Sequence, residues 1–164
     1  MQHHSINQTR GNATVHRTLI ALAIAVLTAA PAIASEKTDV MADVNHWADG
    51  FNKGDSKMEL ETCADETSIV DDLSPYEWHG AGACSQWKTD FDAFLKKHVI
   101  TDMKASLMKP RHVDITVDHA YVVVPVSLTY KQSGKDAKDS GVFTLALQRA
   151  VTGWRITGWA WAAH

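Results

Sequence analysis

The stretch Tyr121-Val122-Val123-Val124-Pro125-Val126-Ser127-Leu128-Thr129 decides what kind of fold this chain takes. β-Branched residues crowd a helical turn and suit a pleated surface, so this run reads as a long strand. Its even positions (Val122, Val124, Val126, Leu128) line one face, and its odd positions (Tyr121, Val123, Pro125, Ser127, Thr129) line the other. Both faces are fairly apolar. One is expected to meet helices and the other a second subunit, because a bare apolar sheet face is unfavourable in water. Pro125 has no N–H to give a ladder, which predicts a bulge or edge there.

The neighbouring sequence extends this reading. Residues 103–117, 119–131, 140–150 and 154–161 are four strand candidates rich in Val, Thr, Ile and aromatics. Ser133-Gly134-Lys135 and Thr152-Gly153 are hairpin turns, and Val117-Asp118-His119 is a weaker one. The first half of the chain has a different period. Val40, Val44, Trp47 and Phe51 recur at three- and four-residue steps, predicting a helix over 38–53 stopped by Gly54. Ser56-Lys57-Met58-Glu59 has the form of a capping box, predicting a short second helix that ends near Cys63. Residues 67–71 and 76–80 read as short extended pieces around a turn at 72–75. A third helix begins near Ala81 or Gly82 and carries Cys84, Trp87, Phe91, Phe94 and Leu95 on one face, with Lys96, Lys97 and His98 favourable at its C-terminal dipole. Helices followed by a long antiparallel meander make an α+β layer fold.

Before these elements lies an export signal. His16 and Arg17 precede an uncharged apolar run over residues 19–30, and Ala32 and Ala34 give the small-x-small pattern of a cut after Ala34. The run is shorter than the roughly 20 residues of a spanning helix and ends in Pro31. The residues before Val15 are long and polar for such a signal, which leaves open an upstream extension. The reading is a cleaved signal over 1–34 and one domain over 35–164, periplasmic or secreted, with no membrane contact after cleavage. Arg10 and Arg17 are the only Lys, Arg, Asp or Glu before Ser35, so the domain has fourteen basic and nineteen acidic residues and a net charge of −5, against −3 for the whole chain. That acidity argues against a nucleic-acid partner, which would want a basic stripe.

The two cysteines, Cys63 and Cys84, both fall in the domain. In an oxidising compartment an even pair predicts a disulfide, the alternative being two buried thiols. No His stands at ligand spacing beside either, so no metal site is expected. Phosphate-loop, nucleophile-elbow and His-Glu-x-x-His motifs are absent, and no cofactor is expected.

The element order, with Trp47-Ala48-Asp49-Gly50-Phe51-Asn52-Lys53-Gly54-Asp55, Ser68-Ile69-Val70-Asp71-Asp72, Trp78-His79-Gly80 and the closing Gly153-Trp154-Arg155-Ile156-Thr157-Gly158-Trp159-Ala160-Trp161, resembles the SnoaL-like branch of the nuclear-transport-factor-2-like (NTF2-like) superfamily. The resemblance covers nearly all of 37–163. It implies a cone-shaped barrel, with N-terminal helices packed on a strongly curved antiparallel sheet around a deep apolar pocket. Ketosteroid isomerase, scytalone dehydratase and polyketide cyclases are relatives; others only bind or assemble, so fold does not fix function.

Within that picture Asp71, Asp72 and His79 are the candidate proton-transfer groups. A base in an apolar cavity can take a proton beside a carbonyl, and burial lifts a carboxylate toward working pH. Alternation along a strand lets only one of Asp71 and Asp72 face inward; the competing reading of both is a solvated strand end. Trp47, Phe51, Tyr76, Trp87, Phe91, Tyr121, Trp159 and Trp161 are candidate pocket walls, with Tyr76, Tyr121 and Tyr130 as possible oxyanion donors. His46 and His112 read as structural or exposed. Two features depart from the enzymes. Helix one has Trp47 and Phe51 but no Tyr, and no acid follows Asp139, itself near a turn. The expectation is an exported pocket protein binding a small, largely apolar molecule. The alternatives are a cofactor-free isomerase, dehydratase or cyclase, or a dimeric assembly module. A homodimer through the outer sheet face is expected. A Cys63–Cys84 bridge would pin helix two to the start of helix three beside His79 at the pocket rim.

Overall fold

A computed structural model describes residues 30–164 of the chain, with side chains from residue 35. The apolar run of the expected export signal lies, up to residue 29, outside the described residues. Among those described, no helix is long and apolar enough to cross a membrane.

Helix α1 spans Ala30–Lys53 and so begins well before residue 38. No stop signal separates the Ala-rich stretch from the periodic one, and Pro31 sits in the first turn, where its missing N–H costs nothing. Val40 and Val44 are fully buried, Trp47 nearly so. Gly54 ends the helix at φ 67°, and Asp55 N donates back to Gly50 O at 2.9 Å, a left-handed glycine closure. Helix α2 is Ser56–Leu60, and its cap is Asp55, whose carboxylate accepts from Met58 N at 3.1 Å. The cap therefore falls one residue before Ser56, and Glu59 turns inward rather than reaching back to close a box.

Strand β1 is Cys63–Val70, β2 is Glu77–Ala81, and α3 is Ala83–Lys97. The meander follows as β3 (Ile100–Leu107), β4 (His112–Ile115), β5 (His119–Gln132), β6 (Lys135–Ala150) and β7 (Gly153–Ala163). The single strand expected over 103–117 is thus two. The break holds Pro110, and it faces Pro125 across the ladder: Met108 N donates to Pro125 O at 2.9 Å, and pairing resumes as Arg111 N donates to Val123 O at 2.8 Å. The donor Pro125 lacks falls where the partner strand has left the ladder.

The seven strands form one sheet in the order β2-β1-β7-β6-β5-β3, with β4 also on β5. Neighbouring pairs are antiparallel except β1 with β7, which is parallel. Register shifts interrupt β3–β5, β1–β7 and β6–β7, and such bulges bend and twist a sheet. The sheet curves over the helices without closing into a barrel, since its ends β2 and β3 do not pair with each other. Gly141 makes one close crossing possible: a Cβ there would lie 2.5 Å from the Trp161 ring and from Ala162 O.

The core lies between the helices and the concave face. Val40, Val44 and Trp47 from α1 and Trp87 from α3 meet Ile69, Val122, Val124, Phe143, Leu145, Leu147, Ile156 and Trp159 from the sheet. Each such burial contributes about 1.5–3 kcal/mol. The even side of β5 is the inner one. Its odd side, with Tyr121 46% exposed, faces outward. Cys63 and Cys84 form a disulfide. It ties the first residue of β1 to the first turn of α3, because the short helix ends before Cys63.

Candidate functional site

Between α1, α3 and the concave sheet lies a cavity of about 250 Å³. Many large rings surround it, yet they pack on one another and leave it hollow. Trp47 stacks on Phe51 at 5.4 Å between centroids, and Trp87 on Phe91 at 5.0 Å. Trp159 meets Trp87 edge-on at 4.7 Å and Phe143 at 5.2 Å. Ring pairs of this kind contribute about 0.5–1.5 kcal/mol each beyond burial. Trp47, Phe51, Trp87, Phe91, Trp159 and Trp161 all line the cavity.

Asp71 and Asp72 line it as well. Alternation would send them to opposite sides, but β1 ends at Val70, so both sit in the turn that follows, where the period-two rule no longer applies. The turn is held by Asp71 N donating to Tyr76 O at 3.1 Å and Tyr76 N donating to Leu73 O at 2.7 Å. Asp71 is 9% exposed. Its Oδ2 accepts from Trp87 Nε1 at 2.8 Å and its Oδ1 from Leu73 N at 3.2 Å. Burial pushes its carboxyl up to about 6, opposed by the Trp87 bond and reinforced by Asp72 next door.

The remaining candidates stand elsewhere. His79 is on β2, paired across from Ser68. It is solvent-exposed and lies 3.2 Å from Glu77 Oε2, outside the cavity. Neither the cavity rim nor the disulfide brings it to Asp71. Tyr76 is 58% exposed on the turn, and it takes part through its backbone alone. Tyr121 is on the outer face, its ring 5.9 Å from that of His112. It occupies an odd position of β5, and the odd side faces away from the helices. His46 and His112 are exposed.

Several cavity residues were not among the expected walls or acids. Tyr130, expected only as a possible oxyanion donor, lines the cavity; it continues the even side of β5 beyond Val126 and Leu128, so period two places it once that side is the inner one. Asp139 lines it too, because β6 starts at Lys135 and pairs Asp139 with Leu128. A late-strand acid is therefore present, drawn in by a longer strand than the sequence pattern marks. Phe143 of β6 packs on Trp47 with ring centroids 4.9 Å apart, and Phe94, His98 and Met103 also line the cavity.

The chain is similar in structure to an NTF2-like superfamily protein from Salmonella enterica serovar Typhimurium, with TM-score 0.68 and 15% identity over 80% of this chain and 92% of the other. An NTF2-like protein with a cystatin-like fold from Novosphingobium aromaticivorans matches with TM-score 0.68 and 14% identity, over 84% and 87%.

The fold is that of the NTF2-like superfamily.

A ketosteroid isomerase-like protein from Erwinia carotovora shares it, with TM-score 0.61 and 16% identity over 77% of this chain and 94% of that one. At these identities the likeness is one of fold. No family model and no curated protein sequence matches the chain. In the NTF2-like fold seen here, the cavity is the space between the helices and the curved sheet, and Asp71 is the buried acid on its wall.

Proposed function

We propose that this is an exported NTF2-like pocket protein, of SnoaL-like character, that binds a small, largely apolar molecule between its helices and its sheet. The observation that carries the reading is the hollow: about 250 Å³ walled by Trp and Phe, with Asp71 and Asp72 together on one wall. Apolar walls with a few polar groups are the usual make-up of a ligand site. Thermal-shift measurements on the purified protein with a panel of steroid, polyketide and small aromatic compounds test it. Stabilisation by at least one compound, lost when Trp87→Ala or Phe143→Ala opens the wall, supports the reading. No shift with any compound sinks it.

A second reading is favoured by Asp71 itself. A carboxylate lifted to about 6 and held by an indole N–H is poised to take a proton next to a carbonyl, as a cofactor-free isomerase, dehydratase or cyclase would need. Asp72 would then assist, and exposed His79 would have no part. Deuterium exchange at the α-carbon of a bound ketone, abolished by Asp71→Asn, distinguishes enzyme from binder. The outer face of β5, with Tyr121, Val123 and Pro125, is the proposed homodimer surface. Sedimentation of Val123→Glu as a monomer beside a dimeric parent would support it.

A further inference from the structure

The charge of the cavity is one-sided. Among the described residues, Asp71, Asp72 and Asp139 contribute to its wall, no Lys or Arg does, and His98 is the only basic side chain there. None of the three acids takes part in an ion pair among the described residues, although seven such pairs are formed elsewhere. Asp71 is buried; it accepts from the neutral donors Trp87 Nε1 and Leu73 N, and its side chain is also hydrogen-bonded to that of Asp72, so no cation partners the pair. A carboxylate oxygen accepts more than one hydrogen bond, so each retains capacity for another donor. The rest of the wall is largely Trp and Phe, and an aromatic face presents negative potential.

These features rank ligands by charge. An anion meets carboxylates and ring faces of its own sign. A neutral apolar molecule gains from burial alone. A cation gains burial, the ring faces and an unpaired acid in a water-poor setting, where charge–charge attraction is strongest. Size narrows the class further. A closed apolar cavity of about 150 Å³ takes benzene, so about 250 Å³ has room for about two fused rings.

We infer that the cavity selects an organic cation, an ammonium group on a flat apolar body about the size of two fused rings, with the ammonium against Asp71 and Asp72. This rests on the pocket reading above and adds the charge of the ligand to it. The titratable groups facing the ligand are Asp71, Asp72 and Asp139 on the acidic side, with His98 and Tyr130. The cation needs Asp71 ionised, so affinity is full above pH 7 and falls as pH drops through about 6.

The test is a matched set of probes differing only in charge, titrated calorimetrically at pH 7.5: 2-(aminomethyl)naphthalene, 2-naphthalenemethanol and 2-naphthoate. The ammonium is expected to bind about tenfold or more tighter than the alcohol, and the carboxylate to bind weakest. Asp71→Asn should bring the ammonium and alcohol within about threefold of each other, with Asp72→Asn as a second variant should the first fold poorly. Equal or tighter binding of the alcohol or the carboxylate overturns the cation inference and leaves the pocket reading standing. Absence of binding by all three at millimolar concentration overturns both.

Discussion

Replacing Asp71 by Asn is expected to stabilise the protein, and to do so only above the pH at which the acid ionises. Burial lifts this carboxyl from 3.8 to about 6. A raised carboxyl binds its proton more tightly folded than unfolded, so it favours the folded state at low pH. That advantage is lost progressively as pH rises from about 4 through about 6. A shift of roughly two units corresponds to about 3 kcal/mol between the two extremes. Below pH 4 the parent's protonated carboxyl and the Asn amide are both uncharged. One oxygen can serve Trp87 Nε1 in either case, but the hydroxyl oxygen of the acid can still accept from Leu73 N whereas an amide NH2 cannot, so the variant gives up that bond. Asp71→Asn should therefore lower the stability at pH 4 by about 1 kcal/mol and raise it at pH 7.5 by about 1–2 kcal/mol. Urea unfolding followed by tryptophan fluorescence at pH 4, 5, 6 and 7.5 measures it directly. A gain of the same size at every pH, or a loss at pH 7.5, would refute the argument that Asp71 is a desolvated acid.

Glu59 is 2% exposed with neither carboxylate oxygen hydrogen-bonded, and burial raises it from 4.5 to about 7, with Lys88 opposing. Glu59→Gln should accordingly gain about 1–3 kcal/mol at pH 8.5 and almost nothing at pH 4 in the same unfolding series. Gly141→Ala places a methyl 2.5 Å from the Trp161 ring, and is expected to cost about 1–3 kcal/mol and to shift the Trp161 ring resonances in NMR spectra. Unchanged spectra would show that Trp161 does not depend on this crossing. Cys63 and Cys84 enclose a separation of 21 residues, so the double change to Ser should lower the unfolding free energy by about 3 kcal/mol, read as a lower urea midpoint than the oxidised parent.

Local patterns carried the elements whose partners are near in sequence. The stripe of α1, the stop at Gly54, the two hairpin turns and the alternation of β5 follow from period, glycine and valine content, all properties of a few consecutive residues; which of the two apolar faces of β5 turns inward does not. The parallel β1–β7 pair joins residues about ninety apart, and nothing local marks it. Without that pair β1 looks like residues 67–71; with it the strand starts at Cys63. The site followed the same division. Trp47, Phe51, Trp87 and Phe91 lie on helix stripes that had to face something, and they face the cavity. Tyr121 and His79 had no such constraint, because a strand residue's side is settled by which face the helices take. Asp71 and Asp72 were legible as a pair, but their joint inward placement depends on where β1 stops. Asp139 depends on where β6 starts, and that boundary is fixed by a fourteen-residue ladder with β5.

The helix α3 is fastened to β1 twice. At the start of the strand the Cys63–Cys84 disulfide holds the first turn of α3. Just past the strand's other end, Trp87, one turn further along the same helix, donates to Asp71. Trp87 also packs against Trp159 on β7, which pairs with Ile69 of β1. The acid on the cavity wall is thus positioned by an indole whose own place is set by a disulfide and by a parallel pairing across the sheet. Loosening either attachment moves the donor before it moves the acid, since Asp71 stays tied to its turn through Leu73 N and Tyr76 O. The indole whose hydrogen bond opposes the burial-driven rise at Asp71 is therefore reached through the oxidation state of the cysteines as well as through the cavity.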